Sequence, residues 1–201
     1  MSISVFCVML RRKTIICLAV CIFLSSSVTY IAKAAQQENT VTVDVVTISI
    51  DKQFDAVRPG TKSALAVNFK LEKDWHFYAS AQTAPGEMNL KVMPTGEKYI
   101  IFGEPVFPTP VIYFDKSTEQ NLEVFSDNFT VYLPFSVKAE ELSAPAEIPV
   151  LIEIEGAVCS DIQCRVPNFG KLSTTVKISN DASMTEPKFS VPPPSQAKPK
   201  I

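Results

Sequence analysis

From Val41 onward the chain alternates between apolar and polar residues with a period of two. Val41, Val43 and Val45 fall on one side, Thr42, Asp44 and Val46 on the other, running on to Ile50. Leu65, Val67, Phe69 and Leu71 repeat the pattern, followed by Trp75 to Tyr78. Further runs are Met88 to Val92, Tyr99 to Phe102, Leu122 to Phe125, Phe129 to Val137, Ile148 to Ile154 and Leu172 to Ile178. Alternation of this kind, rich in β-branched and aromatic residues, predicts half-buried strands. Pro59-Gly60, Pro85-Gly86, Thr95-Gly96 and Pro105 through Pro110 break the runs as turns. Eight or nine short strands so spaced predict an all-β fold, an immunoglobulin-like antiparallel β-sandwich.

The two ends read differently. Residues 1–34 hold Arg11, Arg12 and Lys13, an apolar run from Thr14 to Leu24, and Ala32-Lys33-Ala34. A basic start, a short apolar stretch and small residues at A-x-A spacing predict a cleaved secretory signal peptide. The apolar run is short for a membrane span, which takes about 20 residues; an uncleaved anchor is the alternative. Residues 35–180 form the expected domain. Residues 181–201, with five prolines among Lys, Ser and Gln, predict an extended, largely disordered tail.

Removing residues 1–34 takes away Cys7, Cys17 and Cys21 and leaves Cys159 and Cys164 as the whole cysteine complement. An exported chain with two neighbouring cysteines holds them as a disulfide or cycles them. The same cleavage leaves 15 Lys+Arg against 21 Asp+Glu. That acidic balance argues against nucleic acid or an anionic membrane surface as partner.

A Cys159–Cys164 bond closes a loop of six residues, worth about 2 kcal/mol in the chain-entropy model against nearly 5 for a loop of about 100. A bond with so little stapling to do suits exchange with partner thiols. Asp161 between the cysteines disfavours a thiolate and Arg165 beside Cys164 favours one, which predicts Cys164 as the sulfur that partners attack. The single histidine, His76, sits in Trp75-His76-Phe77-Tyr78. On a strand His76 and Tyr78 share one face, either as ordinary surface or beside the cysteines. Two other readings stay open. One is a binding or structural domain whose disulfide merely ties a hairpin. The other is a copper(I) protein using Cys159, Cys164, His76 and Met88 or Met93, although no ligand spacing supports it. No Ser–His–Asp or Cys–His arrangement is readable.

Three stretches carry a family resemblance: Asp74-Trp75-His76-Phe77-Tyr78-Ala79; Leu122 to Phe125 followed by Phe129 to Val137 with Pro134; and Cys159-Ser160-Asp161-Ile162-Gln163-Cys164 with Pro167. Over residues 40–180 the chain resembles the N-terminal periplasmic domain of the thiol:disulfide interchange protein DsbD. The resemblance implies an immunoglobulin-like domain with two redox cysteines on a hairpin at one end and no cofactor or metal. It implies periplasmic electron relay: thioredoxin-like proteins or a membrane electron donor on one side, disulfide isomerases and cytochrome-maturation proteins on the other. By the same resemblance Cys164 is the attacked sulfur, Cys159 the resolving one, and His76 and Tyr78 line the site. A cap loop would lie within Tyr113 to Asn121, with Phe114 as its shielding aromatic. The family has Tyr-Gln-Gly or similar before the first cysteine and two prolines after the second; here Gly156-Ala157-Val158 and Val166 stand there. The membrane and thioredoxin-like domains of full-length DsbD are absent from this sequence, so a separately encoded donor is expected.

Overall fold

A computed structural model describes residues 40–116, 119–139 and 145–193. Within them the chain forms thirteen strands, numbered in chain order, and every strand pair is antiparallel. The first sheet runs β1 (Thr40–Val43), β2 (Val46–Lys52), β3 (Lys62–Leu71), β9 (Asn128–Val137), β6 (Ile100–Phe102). The second runs β13 (Lys171–Ile178), β10 (Ala146–Glu155), β5 (Lys91–Gly96). The third runs β12 (Cys164–Arg165), β11 (Val158–Cys159), β4 (His76–Tyr78), β8 (Gln120–Ser126), β7 (Val111–Asp115). The expected antiparallel, immunoglobulin-like all-β class is the one observed.

Alternation decides which side chains go inside. Ile48 and Ile50 on β2, Leu65, Val67 and Phe69 on β3, and Val131, Leu133 and Phe135 on β9 are buried against Ile148, Val150, Ile152 and Ile154 of β10. Between them on β10 stand Pro149, Leu151 and Glu153, flanked by Glu147 and Glu155, all outside the core. Each fully buried side chain of this size contributes about 1.5–3 kcal/mol. A core of such residues far outweighs the one short disulfide.

The periodicity misplaces a few boundaries. The run from Val41 to Ile50 is two strands, because Asp44 adopts φ 52° and folds Val43 back against Val46. Asp and Asn tolerate that left-handed conformation better than most residues. The run from Met88 to Val92 follows a 3₁₀ turn, Pro85–Glu87, and only Lys91 and Val92 of it belong to β5. Of the stretch Tyr113 to Asn121 expected as a cap loop, Tyr113 to Asp115 belong to β7 and Gln120 and Asn121 to β8, while residues 117–118 lie outside the described residues.

The Pro-rich segment after residue 180 does not trail away over its described part. Arg58 Nε donates to Ala182 O at 2.8 Å, Ala182 is buried, and the Met184 sulfur accepts from Arg58 N and Thr61 Oγ1 at 3.4 Å. Gln53 accepts from Lys188 N and donates to Phe189 O, and the Phe189 ring lies 5.5 Å from Tyr132. Tyr132 pairs with Ala66 on the outer face of the first sheet, so the segment packs on that sheet. A few anchoring contacts, at Ala182, Met184 and Phe189, hold this otherwise polar segment as far as Phe189. Residues 194–201 and the expected signal peptide lie outside the described residues. Among the described residues no helix is long and apolar enough to cross a membrane.

Candidate functional site

Strand β4 joins core to site. All three of its residues are buried, on opposite faces. Phe77 faces inward, its ring 6.0 Å edge-on from Phe69 and 6.5 Å from Phe129. His76 and Tyr78 face the other way, their rings 5.6 Å apart. Across the ladder His76 lies opposite Cys159, and Cys159 opposite Cys164, so imidazole and disulfide stand in one row over three strands. Side chains directly opposite in an antiparallel pair have Cβ atoms about 4.5–5.5 Å apart.

The chain reaches this row through Gly156. It has φ +141°, and a Cβ there would sit 3.0 Å from Leu90 Cα and 3.1 Å from Asn89 O. Only glycine lets the backbone pass that close as it leaves β10 for β11. Beyond β11 the turn Ser160 to Gln163 is closed by Ser160 N donating to Gln163 O at 2.8 Å. Cys159 and Cys164 are joined, with S–S 2.05 Å and Cα–Cα 4.0 Å. They differ sharply in exposure: Cys159 is 1 % exposed, packed with Tyr78, Ala84, Leu122, Val124 and Ala157, whereas Cys164 is exposed.

Tyr113 of β7 leans over this row. Its ring is 4.5 Å from His76, and its hydroxyl donates to Asp161 Oδ1 in the intercysteine turn. Lys116 Nζ lies 3.7 Å from the other Asp161 oxygen. The bond to Asp161, with burial and nearby negative charge added, pushes the Tyr113 pKa up to about 12. Burial raises Tyr78 as well, helped by Asp115. Burial lowers His76 from 6.5, partly opposed by Asp161 and Asp115. A groove of about 660 Å³ opens beside the row, walled by Trp75, His76, Tyr113, Ser126, Asp161 and Ile162.

Two expected roles are displaced by strand parity. Phe114 projects from the other face of β7 and is 54 % exposed; its neighbour Tyr113 is the ring against the site. The alternation Val111, Tyr113, Asp115 was the missed signal. Arg165 follows Cys164 along β12 and so points to the opposite face. There it stacks on Trp75 at 5.0 Å and pairs with Asp44 at 3.6 Å. It does not sit beside the Cys164 sulfur, and exposure distinguishes the two cysteines instead. Asp161 stands in the turn between them, bound to Tyr113 and Lys116. Met93 lies opposite Glu153 in the second sheet, and Met88 lines a separate groove of about 720 Å³ with Val166 and Pro167. Neither joins the row of His76 and the cysteines. Among the described residues no three metal-binding side chains cluster.

The buried histidine predicts a pH dependence. Its folded pKa lies below the unfolded 6.5, so the unfolded chain takes up its proton first as pH falls. Its contribution is therefore complete above pH 6.5 and is lost as pH drops from 6.5 through the lower folded value. A His76→Phe protein is expected to lose less stability over that window than wild type in urea melts at pH 7.5 and 5.0. Equal slopes for the two proteins would show that His76 is not the group responsible.

The family described as thiol:disulfide interchange protein DsbD, N-terminal, matches residues 30–177. The chain belongs to the DsbD N-terminal family. Among solved structures it is similar to the N-terminal periplasmic domain of ScsB from Proteus mirabilis, at 11 % identity and TM-score 0.46, covering 75 % of this chain and 52 % of that one. The chain thus spans about half the length of that relative. It is also similar to the Neisseria meningitidis DsbD N-terminal domain in its reduced form, at 13 % identity and TM-score 0.36, covering 66 % and 83 %. A chain of a Clostridium thermocellum type I cohesin–dockerin complex matches at 13 % identity and TM-score 0.35, covering 64 % of this chain and 98 % of that one. No curated protein matches. For this DsbD N-terminal family member the cysteine pair is the disulfide described above, on a hairpin at the edge of the third sheet.

Proposed function

We propose that this chain is an exported thiol–disulfide exchange domain that cycles the Cys159–Cys164 disulfide with partner thiols. The observation that carries this is the unequal exposure of the two sulfurs' residues within one short hairpin. Exchange proceeds by in-line attack of a thiolate on one sulfur while the other leaves. Cys164 is open to such attack; Cys159, shielded by Tyr78, Tyr113 and Leu122, is the leaving and resolving sulfur. His76, Tyr78 and Tyr113 form the wall behind the bond, and Asp161 ties Tyr113 down over it.

Family membership supports redox partners of thiol–disulfide type. The reading names thioredoxin-like proteins or a membrane electron donor on one side and periplasmic disulfide proteins, including those of cytochrome maturation, on the other. It places the domain in the periplasm, delivered by residues 1–34 as a signal peptide. The domain itself uses no cofactor.

The reduction potential of the pair tests this reading. Equilibration with glutathione buffers is expected to give about −200 to −250 mV, within reach of thioredoxin-type partners. A value well below about −300 mV would make the bond an inert hairpin tie and overturn the proposal.

A further inference from the structure

Exchange at this site leaves one proton to be accounted for. When a mixed disulfide between Cys164 and a partner is resolved, Cys159 has to attack as a thiolate. Cys159 is 1 % exposed, and a buried thiol gives up its proton reluctantly to distant solvent. The acceptor has to stand within the wall of the site.

The groups facing that wall can be taken element by element. Strand β11 offers Cys159 itself. Strand β7 offers Tyr113, with a pKa pushed up to about 12, and Asp115. Strand β8 places Val124 and Ser126 against β4, neither of them charged. The intercysteine turn offers Asp161, already bound to Tyr113 and Lys116. Tyr78 on β4 is itself raised by burial. Lys73, Asp74 and Asp127 line the outer wall of the groove. His76, the only histidine in the sequence, is directly opposite Cys159 and 4 % exposed. It is the one group in the row whose ordinary titration range lies near neutral pH.

We propose that His76 is the base that takes the Cys159 proton when the mixed disulfide is resolved, a role that rests on the exchange reading above. The imidazole accepts the proton from Cys159 Sγ–H. The thiolate attacks Cys164 Sγ and forms the Cys159–Cys164 bond. The bond from Cys164 to the partner sulfur breaks, and the partner leaves with that electron pair as a thiolate. The imidazolium then returns its proton to that thiolate or to water. Run backwards, the same steps place a proton on Cys159 as a partner thiolate opens the disulfide. Burial keeps His76 neutral, and so in its accepting form, at neutral pH. Asp161 and Asp115 stabilise the cation once it forms.

The test uses the full chain, reduced, mixed in a stopped-flow instrument with excess of the chromogenic disulfide 5,5′-dithiobis(2-nitrobenzoate). The first coloured thiolate reports attack by Cys164 and the second reports resolution by Cys159. In His76→Phe and His76→Gln proteins the second phase is expected to slow about 100-fold at pH 7, with the first phase unchanged, as for loss of a general base. Its pH profile should lose a step that wild type shows below the thiol's own titration. Imidazole added to a His76→Gly protein should restore part of the second phase. Unchanged second phases in both variants would overturn the proposal. So would slowed ones that keep the wild-type pH profile and ignore imidazole, since a packing role would give that result. A wild-type protein with no first phase would sink the exchange reading itself.

Discussion

A Cys159→Ser protein is expected to accumulate a stable, near-stoichiometric mixed disulfide with a disulfide-bearing partner, whose other sulfur leaves as a thiolate, and a Cys164→Ser protein only background levels. The first variant keeps the exposed sulfur and removes the group that would release the partner from it. The second keeps only a sulfur buried among Tyr78, Leu122, Val124 and Ala157. Both lose the same bond, worth about 2 kcal/mol for so short a loop. Cys159→Ser also places a hydroxyl in an apolar site while Cys164→Ser does not, so urea melts of both variants accompany the trapping and the asymmetry is read on folded protein. Non-reducing electrophoresis after challenge with a reactive disulfide, followed by mass measurement of the adduct, reads the result. Equal trapping by both variants, or trapping by Cys164→Ser alone, would reverse the assigned roles.

Phe77→Ala is expected to cost about 3–5 kcal/mol, the range for deleting a fully buried aromatic ring. Phe77 is completely buried, meets Phe69 and Phe129 edge-on, and lies opposite Val158 and Phe125 in the ladder. Urea denaturation should show a lower midpoint with little change of slope. Phe114→Ala, on an exposed ring, should stay within about 0.5 kcal/mol. A Phe77→Ala loss below about 1 kcal/mol would mean that the site's supporting strand is not anchored through this ring. The two phenylalanines make a controlled pair, since the same atoms are removed from a filled and an open environment.

The strands were legible because burial on one face imposes a period of two, and the chain keeps it over Leu65 to Leu71, Phe129 to Val137 and Ile148 to Ile154. The cysteine pair was legible as a disulfide from its close spacing. What the sequence left obscure was which side each site residue faces. Arg165 is the nearest cation to Cys164 along the chain, yet strand parity sends it across to Trp75 and Asp44. Tyr113 and Phe114 are equally aromatic neighbours, and only the phase of a five-residue strand separates them. The tail went unread for another reason. It is held through Ala182 and Met184 at the β2–β3 connection and through Phe189 on Tyr132 of the first sheet, contacts too sparse to register as a period.

Strand β4 is three residues long and committed on both faces, with the core's Phe77 between His76 and Tyr78. Sliding it by one position would put an imidazole among the core phenylalanines and turn a benzyl group toward the sulfurs. The strand has no intermediate setting that keeps the interior and changes only the site. Insertions between Leu71 and Trp75 should therefore abolish folding and exchange together, while substitutions at exposed Lys73 should disturb neither. The parts that can vary without moving β4 are the exposed Ile162 turn, Val166, and the outer face of β7.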